Sequence, residues 1–537
     1  MTFIQLRFMV FLAVSFILFY ACPVKHRWKV LLAVSIVFYG IAGVKYFPFI
    51  FITSFSVFLT GRKIGRIYAQ LDKNIAESEG LDRKAKKAMR EAAKKHAKKF
   101  LIACLVFNIA ILCYSKYTKF LINPINDFLA MLGSGAQFSA AMIIVPLGIS
   151  YYTFSSLSYL LDVFWKKIDY EQNYARFLLY AIYFPHILQG PIERYGRLGV
   201  RLKQELRFDS KRCAYGLQLM LWGFFKKLVI ADRANVFIQS VYGNYLGSDG
   251  GVLFIITALL DVVYIYADFS GCMDIARGAS DLFGVELDLN FNHPFCSKSV
   301  VELWRRWHMS LGSWFKDYVY YPVSTSHFVK NLNKTLRGKL PNRMTRVLVT
   351  AVPVTITWVL TGTWHGNGIG YVCWGVYYAF MILMSVSFAE DFTRFGQKYL
   401  HINEEATSWK AIQAIRTTFI FAGGRLLTTP GSIGATWYIV RNTLITFNPW
   451  ILFDGSLLNY GLDRMNIIVL ISAIIVFGVV SRLQIAGEKD GVRVRDRIAR
   501  QNLVVRWMIY FVAIFSIIIL GIYGPGYDAS SFVYMAF

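Results

Sequence analysis

Long apolar stretches recur along the whole chain and alternate with short polar or basic loops. Runs such as FMVFLAVSFILFY (8–20) contain no charged residue, and comparable runs continue to Leu520. Apolar stretches lie near 5–21, 30–43, 46–60, 100–122, 137–160, 174–189, 214–231, 251–270, 347–363, 368–388, 411–428, 464–482 and 503–523. Because a helix needs about 20 residues to cross a bilayer, this pattern predicts roughly 11 crossings, together with re-entrant and interfacial helices.

The unbroken runs indicate helices, since a membrane barrel would show short strands of alternating polarity. Composition supports this class: the chain is 56% hydrophobic and 17% aromatic, with a mean hydropathy of +0.44. The first run lacks a cleavage site before Cys22-Pro23, so we expect it to be a retained span. The fold class predicted is therefore an all-α polytopic membrane protein.

The charge pattern orients this protein in its membrane. The chain carries 58 Lys and Arg against 32 Asp and Glu, a formal charge of +26, and the basic residues collect in loops. Basic loops of polytopic proteins face the cytoplasm, so we expect the N-terminus to lie outside. They also suit contact with anionic lipid headgroups. No nucleic-acid motif accompanies the charge, which argues against nucleic-acid binding.

The organisation of the chain indicates one membrane domain over 1–537. No Gly/Ser/Pro-rich linker divides it, and no internal repeat of the kind found in many transporters is evident. Within it, 61–99 is a basic cytoplasmic helical segment, 291–375 a core region and 390–537 a set of C-terminal helices. Residues 62–99 hold thirteen Lys/Arg and five Asp/Glu, which favours a solvated helix, although a regulatory or partner-binding arm stays open.

Two histidines stand out as candidate chemistry. His365 lies in WVLTGTWHGNGIGYVCWG (358–375), between stretches long enough to enter a bilayer, where an ionisable side chain suggests function. A histidine can take a proton from an attacking hydroxyl near neutral pH. His308 lies in WRRWHMSLGSWF, which helical spacing predicts to be one amphipathic helix with Trp304, Trp307 and Trp314 on one face. That helix could equally be a plain interfacial anchor.

Other kinds of chemistry lack their usual residues. The seven cysteines are scattered without a CxxC pair, so neither a disulfide framework nor a zinc site is expected. No GxSxG elbow, P-loop, HExxH or GxGxxG motif occurs. A lone histidine base beside a membrane path suits direct acyl transfer from a thioester to an alcohol. A buried histidine bonded to a backbone carbonyl is the structural alternative for His365.

Four motifs resemble the membrane-bound O-acyltransferase (MBOAT) family, most of all its branch of the alginate O-acetyltransferase type. They are VPLGISYYTFSSLSYLLDVF (145–164), YFPHILQGPIERY (183–195), FNHPFCSKSVVELWRRWHMSLGSWFKDYVYYP (291–322) and LTGTWHG (360–366). The resemblance implies a ring of tilted helices around a central funnel or tunnel. It also implies that His365 is the catalytic histidine and His308 the second signature histidine.

The same resemblance implies a location in the bacterial plasma membrane, and it indicates the donor and partners of the protein. The acyl donor is expected to be cytoplasmic acetyl-CoA, without a bound cofactor or metal. The expected partners are an extracytoplasmic SGNH-hydrolase-like acetyltransferase and the machinery of polysaccharide synthesis and export. Residues expected to line the substrate path share the two histidine motifs: Trp304, Arg305, Arg306, Trp307, Trp364, Asn292 and Asn367.

The chain departs from the family pattern at two places. Ser324-Thr325-Ser326 stands where GGN is usual, and Asn367 to Tyr371 replaces an Ala-Ser-Trp run after His365. Loss of an aromatic there would reshape the pocket for the acyl group. The function expected is O-acetylation of an exported cell-surface polysaccharide. D-alanyl transfer to teichoic acid from a carrier protein, or lipid or solute transport, remain alternatives.

Overall fold

The computed structural model of this protein describes residues 2–78, 82–132, 139 and 144–523. Helices account for most of these residues, and the described part of the chain holds no strand beyond an isolated bridge between Arg337 and Leu340. The helices are α1 Leu6–Ala21, α2 Arg27–Ala42, α3 Phe47–Glu77, α4 Arg83–Met131, α5 Ile149–Phe164, α6 Tyr174–Ile182, α7 Phe184–Ile187, α8 Ser210–Phe224, α9 Asp232–Gly243, α10 Val252–Asp281, α11 Val300–Arg306, α12 Met309–Phe315, α13 Tyr321–Ser324, α14 His327–Leu336, α15 Asn342–His365, α16 Ile369–Leu400, α17 Thr407–Leu426, α18 Ile433–Ile445, α19 Arg464–Asp490, α20 Val494–Ala499 and α21 Leu503–Leu520.

Seven helices in the described residues are long and apolar enough to cross a membrane. They cover Val44–Glu77, Arg83–Thr118, Val252–Asp281, Asn342–His365, Ile369–Leu400, Arg464–Asp490 and Leu503–Leu520. The predicted all-α polytopic class is thereby confirmed, whereas the count of about 11 crossings stays a prediction. The basic segment 61–99 contains the end of α3, at Glu77, and the start of α4, at Arg83. The aromatic tail 524–537 lies outside the described residues.

The chain folds into two compact units. The first comprises Met1–Gly216 with Ala276–Asp288, and the second comprises Leu217–Ile275 with Leu289–Phe537. That 1–537 forms a single membrane domain of the family type stays a prediction.

A glycine with a left-handed backbone conformation explains the VPLGIS motif of the first unit. Gly148 precedes α5 with φ of +69°, a conformation that disfavours side chains, and an added Cβ would lie 2.3 Å from the carbonyl oxygen of Ile187. Helix α5 is then buried almost throughout. Its Tyr159 packs against Phe177 and Tyr195, with ring centroids 4.7 and 4.9 Å apart. Two of the recognised motifs thus meet in one aromatic core.

A close crossing of α15 and α16 dominates the second unit. Gly362 and Gly375 permit it, because an added Cβ would lie 2.2 Å from the Tyr371 carbonyl oxygen in the first case and 2.5 Å from that of Trp358 in the second. Small residues let helix backbones approach in this way within membranes. The crossing fixes the end of α15, where His365 lies.

Candidate active site

His308 lies at a break between two short helices. The single amphipathic helix predicted through WRRWHMSLGSWF is wrong: α11 ends at Arg306, α12 begins at Met309, and His308 between them adopts left-handed backbone angles of φ 44° and ψ 52°. A non-glycine residue in this region costs energy that the surroundings must supply. The break turns the imidazole inward, and its residue is 2% exposed.

A neighbouring segment pairs with the break and holds it. The Asn292 backbone N–H donates to the Arg306 carbonyl oxygen at 2.9 Å, and the Met309 N–H donates to the Asn290 carbonyl oxygen at 2.9 Å. The side chain of Asn290 also reaches the His308 ring, with 3.2 Å between Oδ1 and Nδ1. The 290–292 segment therefore positions the WRRWH motif directly.

His365 is the last residue of α15, and the chain continues through Gly366 toward α16. The residue is 8% exposed. Its ring lies against the indoles of Trp364 and Trp374, with centroids 5.0 and 5.2 Å away. Two flat aromatic walls therefore restrict the directions from which a substrate could reach this imidazole.

The two histidines, 57 positions apart in sequence, are neighbours in space. Their ring centroids lie 6.3 Å apart. Phe269 of α10 packs edge-on against His308 at 4.8 Å, and Trp364 approaches it at 6.0 Å. Burial lowers the pKa of His308, which lies outside the seven apolar helices, to about 3. That ring is therefore neutral at neutral pH.

The remaining predicted residues divide into two groups. Trp304 packs against Trp358, Trp374 and Tyr378 with centroid distances of 4.8, 5.5 and 4.7 Å. Trp307 packs against Phe421 at 4.8 Å. Trp364 contacts both histidine rings, whereas Trp304 packs against Trp374 and is joined to Trp307 through Phe421.

The charged and amide candidates have other surroundings. The Arg305 side chain is exposed, whereas Arg306 donates to Glu302 at 2.8 Å and to the Asn292 carbonyl oxygen at 3.4 Å. Asn367 is half-buried in the connection between α15 and α16. Arg306 thus connects α11 to the 290–292 segment. The exposed Arg305 has the weakest case among these candidates for lining a substrate path.

An aromatic ring does lie next to the His365 turn. Tyr371, from the first turn of α16, packs so closely that a Cβ on Gly366 would lie 2.1 Å from its Cε2 atom. The sequence comparison within the motif suggested that the aromatic after WHG is lost. In the structure, Tyr371, two positions after the place where the family has its aromatic, packs against this turn. It can do so because α16 begins at Ile369 and folds back over the turn.

Sequence reasoning missed two features of this unit. Asn290 stands in no recognised motif, and only its contact with His308 singles it out. Helix α10 also carries buried carboxylates paired with cations. Lys227 Nζ lies 2.6 Å from Asp268, and Arg425 binds Asp261 through two bonds of 3.0 and 2.9 Å. Charges inside a membrane helix are costly unless paired, so these pairs lower the cost of burying the carboxylates of α10.

Together, the apolar helices and the buried histidine pair at a helix break define a polytopic membrane protein with a candidate acid–base site. Residues 86–336 match the family model described as MBOAT, membrane-bound O-acyltransferase family. The matched residues include His308 and end before His365.

Curated relatives carry three kinds of name. A protein named "Probable alginate O-acetylase AlgI" from Pseudomonas aeruginosa is 30% identical over 282 residues, which is 52% of this chain and 50% of that protein. "Peptidoglycan O-acetyltransferase" from Helicobacter pylori is 27% identical over 52% of this chain and 53% of its own length. "Teichoic acid D-alanyltransferase" from Bacillus subtilis is 29% identical over 51% and 66%. The chain thus spans from 50% to 66% of the length of the alginate O-acetylases that it matches.

Proposed function

We propose that this chain is a membrane O-acyltransferase. It takes an acyl group, acetyl by expectation, from a cytoplasmic thioester donor and moves it across the membrane for O-acetylation of an exported cell-surface polysaccharide. The observation that carries the proposal is the buried pair of His308 and His365, with rings 6.3 Å apart, in a chain that matches the acyltransferase family over 86–336.

His365 is the general base in this proposal. Its neutral imidazole takes the proton of the acceptor hydroxyl while the hydroxyl oxygen attacks the thioester carbonyl carbon. The new C–O bond forms, the C–S bond breaks, and the imidazolium returns the proton to the leaving thiolate. A positioned base of this kind contributes about 10²–10⁴-fold in rate.

The surroundings of His365 suit this chemistry. The imidazole is almost fully buried between Trp364 and Trp374. A water-poor pocket protects a thioester from hydrolysis and strengthens the electrostatic interactions that act on the developing charge. Asp261 and Asp268 of α10 are held in ion pairs with Arg425 and Lys227.

The donor, the membrane and the partners follow from the charge pattern and the family resemblance. Basic loops facing the cytoplasm would present the site to acetyl-CoA, in a plasma-membrane protein whose N-terminus lies outside. Because the acceptor is an exported polymer, an extracytoplasmic SGNH-hydrolase-like acetyltransferase would complete the transfer. The 1–537 chain would then act beside the synthesis and export machinery.

D-alanyl transfer to teichoic acid is the second candidate function. It is favoured by the similarity to two proteins named teichoic acid D-alanyltransferase, from Bacillus subtilis and Streptococcus thermophilus. The same base would serve there, because the donor is again a thioester. The two functions differ in the donor, which makes them separable by experiment.

The test uses purified protein in nanodiscs, with either labelled acetyl-CoA or a D-alanyl-loaded carrier protein as the donor. It measures the label that reaches a soluble polysaccharide acceptor and the extracytoplasmic partner protein. We expect consumption of acetyl-CoA by the wild type and loss of transfer, on the order of 10²-fold or more, in His365→Ala. The matched control is His327→Ala, which removes an exposed histidine from the same unit and should leave transfer unchanged.

Three results would redirect the proposal. Consumption of the carrier-bound aminoacyl group alone would establish the D-alanyl alternative. Retained transfer in His365→Ala would remove that residue from the role of base. Passage of a lipid or solute across the bilayer without use of either thioester would favour the transporter alternative.

A further inference from the structure

Asn290 lies next to the histidine pair and is 1% exposed. Its Oδ1 atom is within hydrogen-bond distance of three groups: the Ser310 backbone nitrogen at 3.0 Å, the Ser310 hydroxyl at 2.9 Å and His308 Nδ1 at 3.2 Å. Its Nδ2 faces the sulfur of Met273 at 3.4 Å. One buried amide thus joins α10, α12 and the ring of His308.

These contacts fix the direction of each hydrogen bond. A backbone N–H can only donate, so the Asn290 atom that faces the Ser310 nitrogen must be the amide oxygen, which can only accept. The ring nitrogen that contacts the same oxygen must therefore donate. In the neutral ring this places the proton on Nδ1 of His308 and leaves Nε2 as an acceptor.

The backbone reinforces the same arrangement. His308 is held in left-handed angles, and the Met309 N–H immediately after it donates to the Asn290 carbonyl oxygen. Asn290 therefore holds both the main chain beside His308 and the orientation of the His308 ring. A left-handed residue is not free to relax by a simple rotation while both contacts persist.

We propose that Asn290 is a positioning residue that holds His308 as a neutral imidazole protonated on Nδ1, so that its Nε2 lone pair favours formation of the His365 imidazolium. This inference rests on the proposed acyl transfer and adds a role for the second histidine. When His365 takes the proton of the attacking hydroxyl, its ring becomes positively charged. The neutral ring of His308, which carries an acceptor nitrogen and whose centroid lies 6.3 Å from that of His365, can stabilise this charge. A charged His308 at that distance would oppose the same proton transfer.

The proposal excludes a different role for His308. An imidazole with its proton on Nδ1 cannot donate from Nε2 to the oxygen of the thioester carbonyl, so His308 would not act as an oxyanion donor. An alternate tautomer would reverse this assignment. The tautomer of His308 is therefore the quantity to measure.

The experiment uses the full chain in nanodiscs with ¹⁵N-histidine, and assigns the His308 signals by their loss in His308→Gln. Because a protonated and an unprotonated ring nitrogen have well-separated ¹⁵N shifts, the spectrum reports the tautomer without any activity. We expect a protonated Nδ1 in the wild type and in Asn290→Asp, whose carboxylate still accepts, and a mixture of tautomers in Asn290→Ala.

Kinetics with the labelled thioester donor give a second readout. In Asn290→Ala we expect kcat to fall on the order of 10²-fold with KM little changed, because the proton-transfer step and not substrate binding is affected. Asn290→Asp should retain more of kcat than Asn290→Ala. The matched control is Ser310→Ala, which removes one bond to the same oxygen but keeps the contact with His308, and should stay near the wild type.

Each outcome decides the proposal. A wild-type His308 protonated on Nε2 overturns it, as does a wild-type kcat in Asn290→Ala. An equal loss in Ser310→Ala and Asn290→Ala would make the cluster merely structural. If Asn290→Ala does not fold, the wild-type and Asn290→Asp spectra still decide. A wild type with the expected tautomer but no acyl transfer would refute the proposed function and leave the role of Asn290 in fixing the ring.

Discussion

Replacement of Gly366 by alanine should disturb the turn beside His365 through one identifiable clash. The glycine has extended backbone angles that any residue can adopt, so its φ of −175° imposes no conformational cost on alanine. The new Cβ would instead lie 2.1 Å from Cε2 and 2.4 Å from Cδ2 and Cζ of Tyr371. The ring must move, and overpacking of this kind costs about 1–3 kcal/mol.

A second glycine in the same crossing provides the comparison. A Cβ on Gly375 would lie 2.5 Å from the carbonyl oxygen of Trp358 and 2.9 Å from Cα of Val359. These are backbone atoms, so α15 and α16 must separate. We therefore expect Gly375→Ala to cost about 3 kcal/mol, the upper end of the same range.

The assay compares apparent Tm values of purified variants in one detergent, together with acyl transfer. Gly366→Ala should lower both, and addition of Tyr371→Ala should recover part of the stability, with a coupling of about 1 kcal/mol or more in the double-mutant cycle. Tyr371→Ala should not recover Gly375→Ala. Gly478→Ala, where nothing lies within 4 Å of the new Cβ, should leave Tm unchanged or slightly raised.

Two results would refute this reasoning. A wild-type Tm in Gly366→Ala would mean that Tyr371 does not occupy the space beside the glycine. If the stability losses of Gly366→Ala and Tyr371→Ala simply add in the double variant, the two residues do not touch.

The remaining predictions concern charge. Lys227→Met should destabilise the protein by about 3–5 kcal/mol, because it removes the buried ammonium that both Asp232 and Asp268 contact; an unchanged detergent Tm would contradict this. Since burial lowers the pKa of folded His308 to about 3 from 6.5, the unfolded chain binds that proton more tightly, so stability should fall as the pH drops from 6.5 toward 3. His308→Gln should flatten that part of the Tm–pH curve. Arg305→Ala, at an exposed side chain, should leave acyl transfer unchanged, and a large loss would place it on the substrate path.

The sequence by itself determined the class of the fold. Unbroken apolar runs and basic loops predict membrane helices without reference to tertiary contacts, since the bilayer requires each backbone polar group to be satisfied within its own segment. The same local logic predicts a helical segment over 61–99, where α3 ends and α4 begins. His365 could be singled out because an ionisable group between two apolar stretches is costly.

Only the tertiary structure decided how the site is assembled. Periodicity predicts one helix through His308, but pairing with the 290–292 segment outweighs helix propensity and breaks the helix there. The two histidines, 57 positions apart in sequence, come together because the end of α15 packs its Trp364 and His365 rings near His308. Asn290 and Tyr371 carry no sequence signal, because a single buried amide or a tyrosine in an aromatic-rich helix looks ordinary until its neighbours are known. The sequence thus determines the candidates, and long-range packing decides which of them meet.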